Sequence, residues 1–161
     1  MTIKVGDKIP SVKIKYMGAN GPSETTTDEL FKGKKAVLFG LPGAFTPTCS
    51  AKHVPGFVQS ADAIKQKGVG TIACISVNDA FVMGAWGKAQ GAGDKVMMLA
   101  DGNADFTKAV GLEQDLSAAG LGVRSKRYAM VIDNGVVKWL GVEEAPGKLE
   151  ASSAENVLKQ L

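Results

Sequence analysis

The stretch Ala36-Val37-Leu38-Phe39-Gly40-Leu41-Pro42-Gly43-Ala44-Phe45-Thr46-Pro47-Thr48-Cys49-Ser50 decides the reading of this chain. Residues 36–41 are apolar apart from one glycine, the pattern of a strand buried on both faces. Pro42 and Gly43 then break the strand. Thr46 suits the N-cap of a helix and Pro47 its first turn, so Cys49 falls at the third helical position. There the unpaired backbone N–H groups converge and the helix dipole favours an anion. A thiolate is an anion, and it is the reactive form of cysteine. A cysteine that only packs sits inside an apolar period. Cys49 instead lies among prolines, threonines and a glycine, where packing has little use for it.

Working outward, Ser11 to Tyr16 alternate polar and apolar side chains, the period of a half-buried strand, and residues 18–21 read as a turn. Beyond Cys49, Val54, Phe57, Val58, Ala61 and Ile64 share one helical face. Pro55-Gly56 is expected to kink that helix near its start. Residues 71–77 read as a second buried strand. Asn78 or Asp79 can cap a helix carrying Phe81, Val82, Ala85, Trp86 and Ala89. Residues 96–100 form a third strand, and a short helix ends near Val110. Residues 128–132 and 136–140 flank Asp133-Asn134-Gly135, a hairpin signal. Ser152 and Glu155 are spaced as a capping box for a last helix. The order, β-α-β-α-β-α-β-β-α after an N-terminal β-hairpin, predicts a three-layer α/β fold with a central mixed β-sheet, a single domain over residues 1–161.

The whole chain fits that reading. Its 161 residues suffice for one hydrophobic core. A net charge of +3, with no basic block interleaved with aromatics, does not argue for nucleic acid. No stretch is apolar enough over its length to span a bilayer, and the first residues carry no secretory apolar region, so the expected location is cytoplasmic. Two cysteines, Cys49 and Cys74, are too few for a secreted disulfide scaffold. With the lone His53 they make no recognisable zinc set, so no metal is expected.

The run Pro-Gly-Ala-Phe-Thr-Pro-Thr-Cys ending at Cys49 resembles the peroxidatic loop of peroxiredoxins, in the form of the type II (plant) and peroxiredoxin-five branch. The resemblance continues through Lys34 to Gly40, Ile75 to Val82 and Lys126 to Val131, in order along the chain. It implies a thioredoxin-like fold and a thiol-dependent peroxidase for hydrogen peroxide and alkyl hydroperoxides, with no metal, haem or flavin. It also implies a non-covalent homodimer and an external thiol reductant, either glutathione with glutaredoxin or thioredoxin. An alternative class is a redox sensor or holdase-like protein switched by oxidation of Cys49.

Reducing a peroxide needs a nucleophilic thiolate and stabilisation of the oxygen that leaves. Cys49 is the expected nucleophile, passing through a sulfenic acid. The Thr46 hydroxyl, three residues earlier, can reach the sulfur or a peroxide oxygen. Pro42 is expected to shape the loop and shield the sulfur, with Gly43 and Phe45 beside it. Arginine suits the fixed cation such a site wants, and the chain has two, Arg124 and Arg127. The resemblance places the family's arginine ahead of the strand that begins at Lys126, which assigns it to Arg124; Arg127 comes second, as a strand residue. His53 can share a helical face with Cys49 and is expected in a supporting position rather than as general base. Cys74, within a buried strand, reads as core. As a resolving cysteine it would need a large rearrangement. Some relatives of this branch resolve through a cysteine near the C-terminus, where this chain has Ala151.

Overall fold

The computed structural model describes Met1–Leu161. Strands β1 (Lys13–Gly18) and β2 (Gly21–Thr26) form an antiparallel hairpin. Helix α1 (Thr27–Phe31) follows, with the Thr26 side chain accepting from the Glu29 N–H as its cap. Then come β3 (Lys35–Leu41), α2 (Val54–Gln66), β4 (Thr71–Ser76), α3 (Ala80–Ala89), β5 (Met97–Ala100) and α4 (Asp105–Ala109). A small hairpin of β6 (Glu113–Asp115) and β7 (Val123–Ser125) leads to β8 (Tyr128–Asp133), β9 (Val136–Val142) and α5 (Ala154–Lys159). Seven strands make one mixed sheet in the order β2-β1-β5-β4-β3-β8-β9. Its β5-β4-β3 centre is parallel, and the other pairings are antiparallel.

Alternation along β3 builds the layers. Val37, Phe39 and Leu41 point into one core with Phe57 and Ile64 of α2, Trp86 of α3 and Val157 of α5. Ala36 and Leu38 point into the other with Phe31 of α1 and Phe106 of α4. The strand is therefore buried on both faces, as its uniform apolar run requires. The result is the thioredoxin-like, three-layer arrangement with its N-terminal hairpin.

Gly40 leaves room for the ring of Tyr128, which fills the space a side chain would take. A Cβ there would sit well inside contact distance of that ring, and both residues are in register across β3 and β8. Gly40→Ala is expected to cost roughly 3 kcal/mol or more through overpacking of a site that cannot relax. Urea denaturation reads this directly, and a loss below 1 kcal/mol would show that Tyr128 moves aside.

Two local expectations change, and two elements lie outside any expectation. α1 and the β6–β7 hairpin carry too few residues to show a period and were not legible. The cap of α5 is Ser153, which accepts from the Asn156 N–H; Ser152 is instead fully buried and turned toward Glu143. The irregularity expected at Pro55 appears one turn earlier. The Val54 N–H reaches back to the Cys49 carbonyl, making a wide π turn over Cys49–His53. Pro55 has no N–H to offer the Ala51 carbonyl and its ring crowds that group, so the turn before it widens.

Candidate active site

β3 delivers the chain to the loop that carries Cys49, and three contacts hold that loop. The Ala44 N–H donates to Asn78 Oδ1 at 2.9 Å, and Asn78 is itself held by the Ser76 hydroxyl at 2.6 Å. Arg124 Nη1 donates to the Pro42 carbonyl at 3.1 Å, while its Nε donates to the Leu121 carbonyl. The Thr46 hydroxyl donates to the Gly43 carbonyl at 2.6 Å. Gly43 is fixed by packing, since a Cβ there would meet Arg124 Nη1 and the Thr46 methyl. Phe45 is held in the left-handed region with φ 62°, a strained setting for a bulky residue of the kind that clusters at functional sites. Phe45 is 58% exposed, and its ring lies 6.3 Å from that of the buried Trp86.

The helix opens with the Ser50 N–H donating to the Thr46 carbonyl at 3.0 Å. Thr46 thus holds the N-cap position by its backbone, but its hydroxyl turns back to Gly43 instead of capping. Cys49 lies in the first turn and is fully buried. Trp86 Nε1 donates to the Ser50 hydroxyl at 3.1 Å, pinning that turn against α3.

The arginine at the sulfur is Arg127, which corrects the assignment to Arg124. Arg127 lies between β7 and β8, not within a strand, and is 2% exposed. Its Nη2 donates to Cys49 Sγ at 3.2 Å, its Nη1 meets His53 Nδ1 at 2.9 Å, and its Nε donates to the Pro146 carbonyl at 3.0 Å. Arg124 is committed to the carbonyls of Pro42 and Leu121 and contacts the loop, not the sulfur.

His53 Nε2 faces the Ser152 carbonyl at 3.0 Å. A carbonyl only accepts, so the ring proton sits on Nε2 and Nδ1 receives the arginine. Burial first, and the Arg127 charge second, push the His53 pKa down to about 3, against the opposing bond to Ser152. The imidazole is therefore neutral across the physiological range, and its free lone pair is occupied. It stacks obliquely on Phe39 at 4.9 Å and Phe57 at 5.6 Å. This arrangement does not suit a general base.

Cys74 sits in β4 in register with Phe39, and both cysteines are free thiols of the same core. Burial, then the nearby Cys49, push the Cys74 thiol well up. No group of three His, Cys, Asp or Glu side chains is placed to hold a metal ion, and no helix is long and apolar enough to cross a membrane. Asn78, Ser152 and Glu143 also contribute to the site. Sequence reading reached the first two only as helix caps and gave no role to Glu143.

A buried cysteine at a helix start, faced by an arginine on a thioredoxin-like sheet, defines a thiol redox protein. The Redoxin family matches over residues 4–158. Peroxiredoxin-2E-2, chloroplastic, of Oryza sativa subsp. japonica is 55% identical across 99% of this chain and 73% of its own length. Peroxiredoxin-2E, chloroplastic, of Arabidopsis thaliana is 54% identical across 99% and 70%. A crystal structure of reduced Prx3 from Vibrio vulnificus in complex with hydrogen peroxide superposes with a TM-score of 0.94 at 53% identity, covering 99% of each chain. The chain belongs to the peroxiredoxins, in the type II, peroxiredoxin-five-like branch, and is a cysteine-dependent peroxidase. The expectation of a cytoplasmic protein is corrected by the two plant relatives, whose names are chloroplastic.

Proposed function

We propose that Cys49 is the sulfur that attacks the peroxide and that Arg127 is its fixed cation. One observation carries this reading. Arg127 is buried, takes part in no ion pair with a carboxylate, and directs Nη2 at Cys49 Sγ. An unpaired buried charge costs several kcal/mol; a thiolate at Cys49 is the counterion that relieves it. The thiolate attacks one peroxide oxygen. An S–O bond forms as the O–O bond breaks, and sulfur gives up two electrons to become a sulfenic acid. The second oxygen leaves as hydroxide and takes a proton to become water. The Thr46 hydroxyl has committed its proton to Gly43, which leaves its oxygen free to accept from the O–H of the peroxide. Pro42, held by Arg124, and Gly43 fix the loop around that position.

The reductant is an external thiol. A small thiol such as glutathione displaces water from the sulfenic acid to give a mixed disulfide, and a second thiol, through glutaredoxin, releases Cys49. The burial of Cys74 in β4 supports this one-cysteine cycle over an internal disulfide. The exposed rings of Phe45 and of Phe81, the latter 67% exposed on α3, offer an apolar face for a second copy in a non-covalent homodimer. The chain acts as one domain without a prosthetic group, and the plant relatives point to the plastid as its place of work.

Intact-mass spectrometry after one equivalent of hydrogen peroxide tests the cycle. The expected product carries one added oxygen on Cys49, or one glutathione when that thiol is present, with Cys74 free. A loss of two hydrogens with a Cys49–Cys74 linked peptide would make Cys74 the resolving residue and shift the reductant to thioredoxin. An unmodified Cys49 would end the proposal.

A further inference from the structure

The arginine at the sulfur is held from behind by a segment outside the cysteine loop. Glu143, 9% exposed and directly after β9, gathers three donors on one oxygen. Its Oε2 accepts from the Glu150 N–H at 2.9 Å, the Ser152 N–H at 2.7 Å and the Ser152 hydroxyl at 2.6 Å. Its own backbone N–H donates to the Arg127 carbonyl at 2.9 Å. These bonds hold residues 144–152 against the site and present two carbonyls to it. Pro146 takes Arg127 Nε, and Ser152 takes His53 Nε2. His53 Nδ1 then takes Arg127 Nη1, which leaves Nη2 for the sulfur. The bonds close a ring that starts at the Arg127 backbone, passes through Glu143, Ser152 and His53, and returns to the Arg127 guanidinium.

We infer that Glu143 is a positioning residue of the peroxidase reaction, acting through Ser152 and His53 to fix the tautomer of the imidazole and the aim of Arg127 at Cys49. The inference rests on the reading of Cys49 and Arg127 proposed above. Charge matters at Glu143 because bonds to an ionised acceptor are roughly twice as strong as neutral ones, and its loss would orphan three donors. Burial alone would raise the Glu143 pKa; the bonds from Ser152, Glu150 and Ala151 outweigh it and hold the carboxyl below its usual range. Without the carboxylate, the segment carrying both carbonyls is free to lift. His53 Nε2 then loses its acceptor and either ring nitrogen can carry the proton. In the Nδ1–H tautomer the ring presents a donor to a donor, and Arg127 must turn away.

His53 is the only histidine of the chain, so its ring nitrogen signals can be assigned without ambiguity. The experiment compares the wild type with Glu143→Ala and Glu143→Gln, reading the rate of Cys49 oxidation by hydrogen peroxide and the 15N spectrum of the imidazole. The wild type is expected to show one neutral tautomer, protonated at Nε2. Glu143→Ala is expected to lose about tenfold or more in rate, as a displaced catalytic group does, and to show mixed tautomers. Glu143→Gln, which keeps an oxygen at the same place, is expected to recover part of the rate and most of the single tautomer. A Glu143→Ala protein with an unchanged rate, or with a slowed rate and an unchanged tautomer, overturns the inference. If Glu143→Ala does not fold, Glu143→Gln decides by the same two readings, because both should still fall measurably short of the wild type. Turnover that survives in Cys49→Ser would instead overturn the underlying reading, whatever Glu143 does.

Discussion

Arg127→Ala is expected to slow the oxidation of Cys49 by hydrogen peroxide about 10²- to 10³-fold, the loss typical when a pre-organised donor to developing charge is removed. Three directed bonds give Arg127 this weight. Nε is anchored on Pro146, Nη1 on His53, and Nη2 is left for the sulfur and for the peroxide oxygen that is attacked or departs there. The guanidinium is rigid, so two anchors fix the aim of the third nitrogen. Lysine cannot reproduce this: it carries one flexible nitrogen in place of a planar fork, and Arg127→Lys is expected to recover less than a tenth of the lost rate. Arg124→Ala makes the contrast. It frees the Pro42 carbonyl and opens space above Gly43, but leaves the cation at the sulfur, so a loss of tenfold or less is expected. Stopped-flow oxidation of the three variants, each checked for native circular dichroism, settles the order. Equal losses at Arg124 and Arg127 would mean that the two act on the loop alone.

The confusion between these two arginines shows where sequence reasoning stops. Two features led to Cys49: an apolar run too uniform for a half-exposed strand, and a turn too crowded with proline and threonine for packing. The structure keeps both. The resemblance places the cation ahead of the strand, at Arg124, and Lys126 to Val131 reads as one strand that takes in Arg127. A cue was present in the side-chain period of two. Arg127 has the parity of Ala129 and Val131, which enter the same core as Phe39 and Cys49, whereas Tyr128 and Met130 enter the other. Reading that parity needs the register of Phe39 against Ala129, which is a tertiary fact. Glu143 and Ser152 were invisible for a related reason. Their partners lie 9 and 99 residues away along the chain, and neither residue type signals burial by itself. Local chemistry is legible at the nucleophile, where one turn carries it, and not at the cation, which two segments distant in the chain, residues 49–53 and 143–152, hold in place.

The neutral His53 predicts how stability depends on acid. In the unfolded chain an exposed imidazole titrates near 6.5; in the fold burial and the Arg127 charge hold it at about 3. Between those values the unfolded state binds one proton that the native state refuses. Stability is therefore complete above about pH 6.5 and is lost as pH falls toward 3, by about 1.4 kcal/mol for each unit. Over the full window that is on the order of 4–5 kcal/mol, a large share of the stability of a domain this size. Glu143 works in the same direction, since its carboxyl is also held below its unfolded value and resists the proton that the unfolded chain accepts. Urea denaturation at pH 7, 5.5 and 4.5 is expected to show the steep decline in the wild type. His53→Gln can still meet both Arg127 and the Ser152 carbonyl, and should start less stable at pH 7 but decline more gently, by about one proton. Parallel declines in the two proteins would mean that His53 accepts a proton inside the fold. The same neutrality separates stability from catalysis. An imidazole that stays neutral between pH 5 and 8 leaves the aim of Arg127 constant, so His53→Gln should leave the shape of the pH–rate profile for peroxide attack unchanged even where the fold has begun to lose its margin.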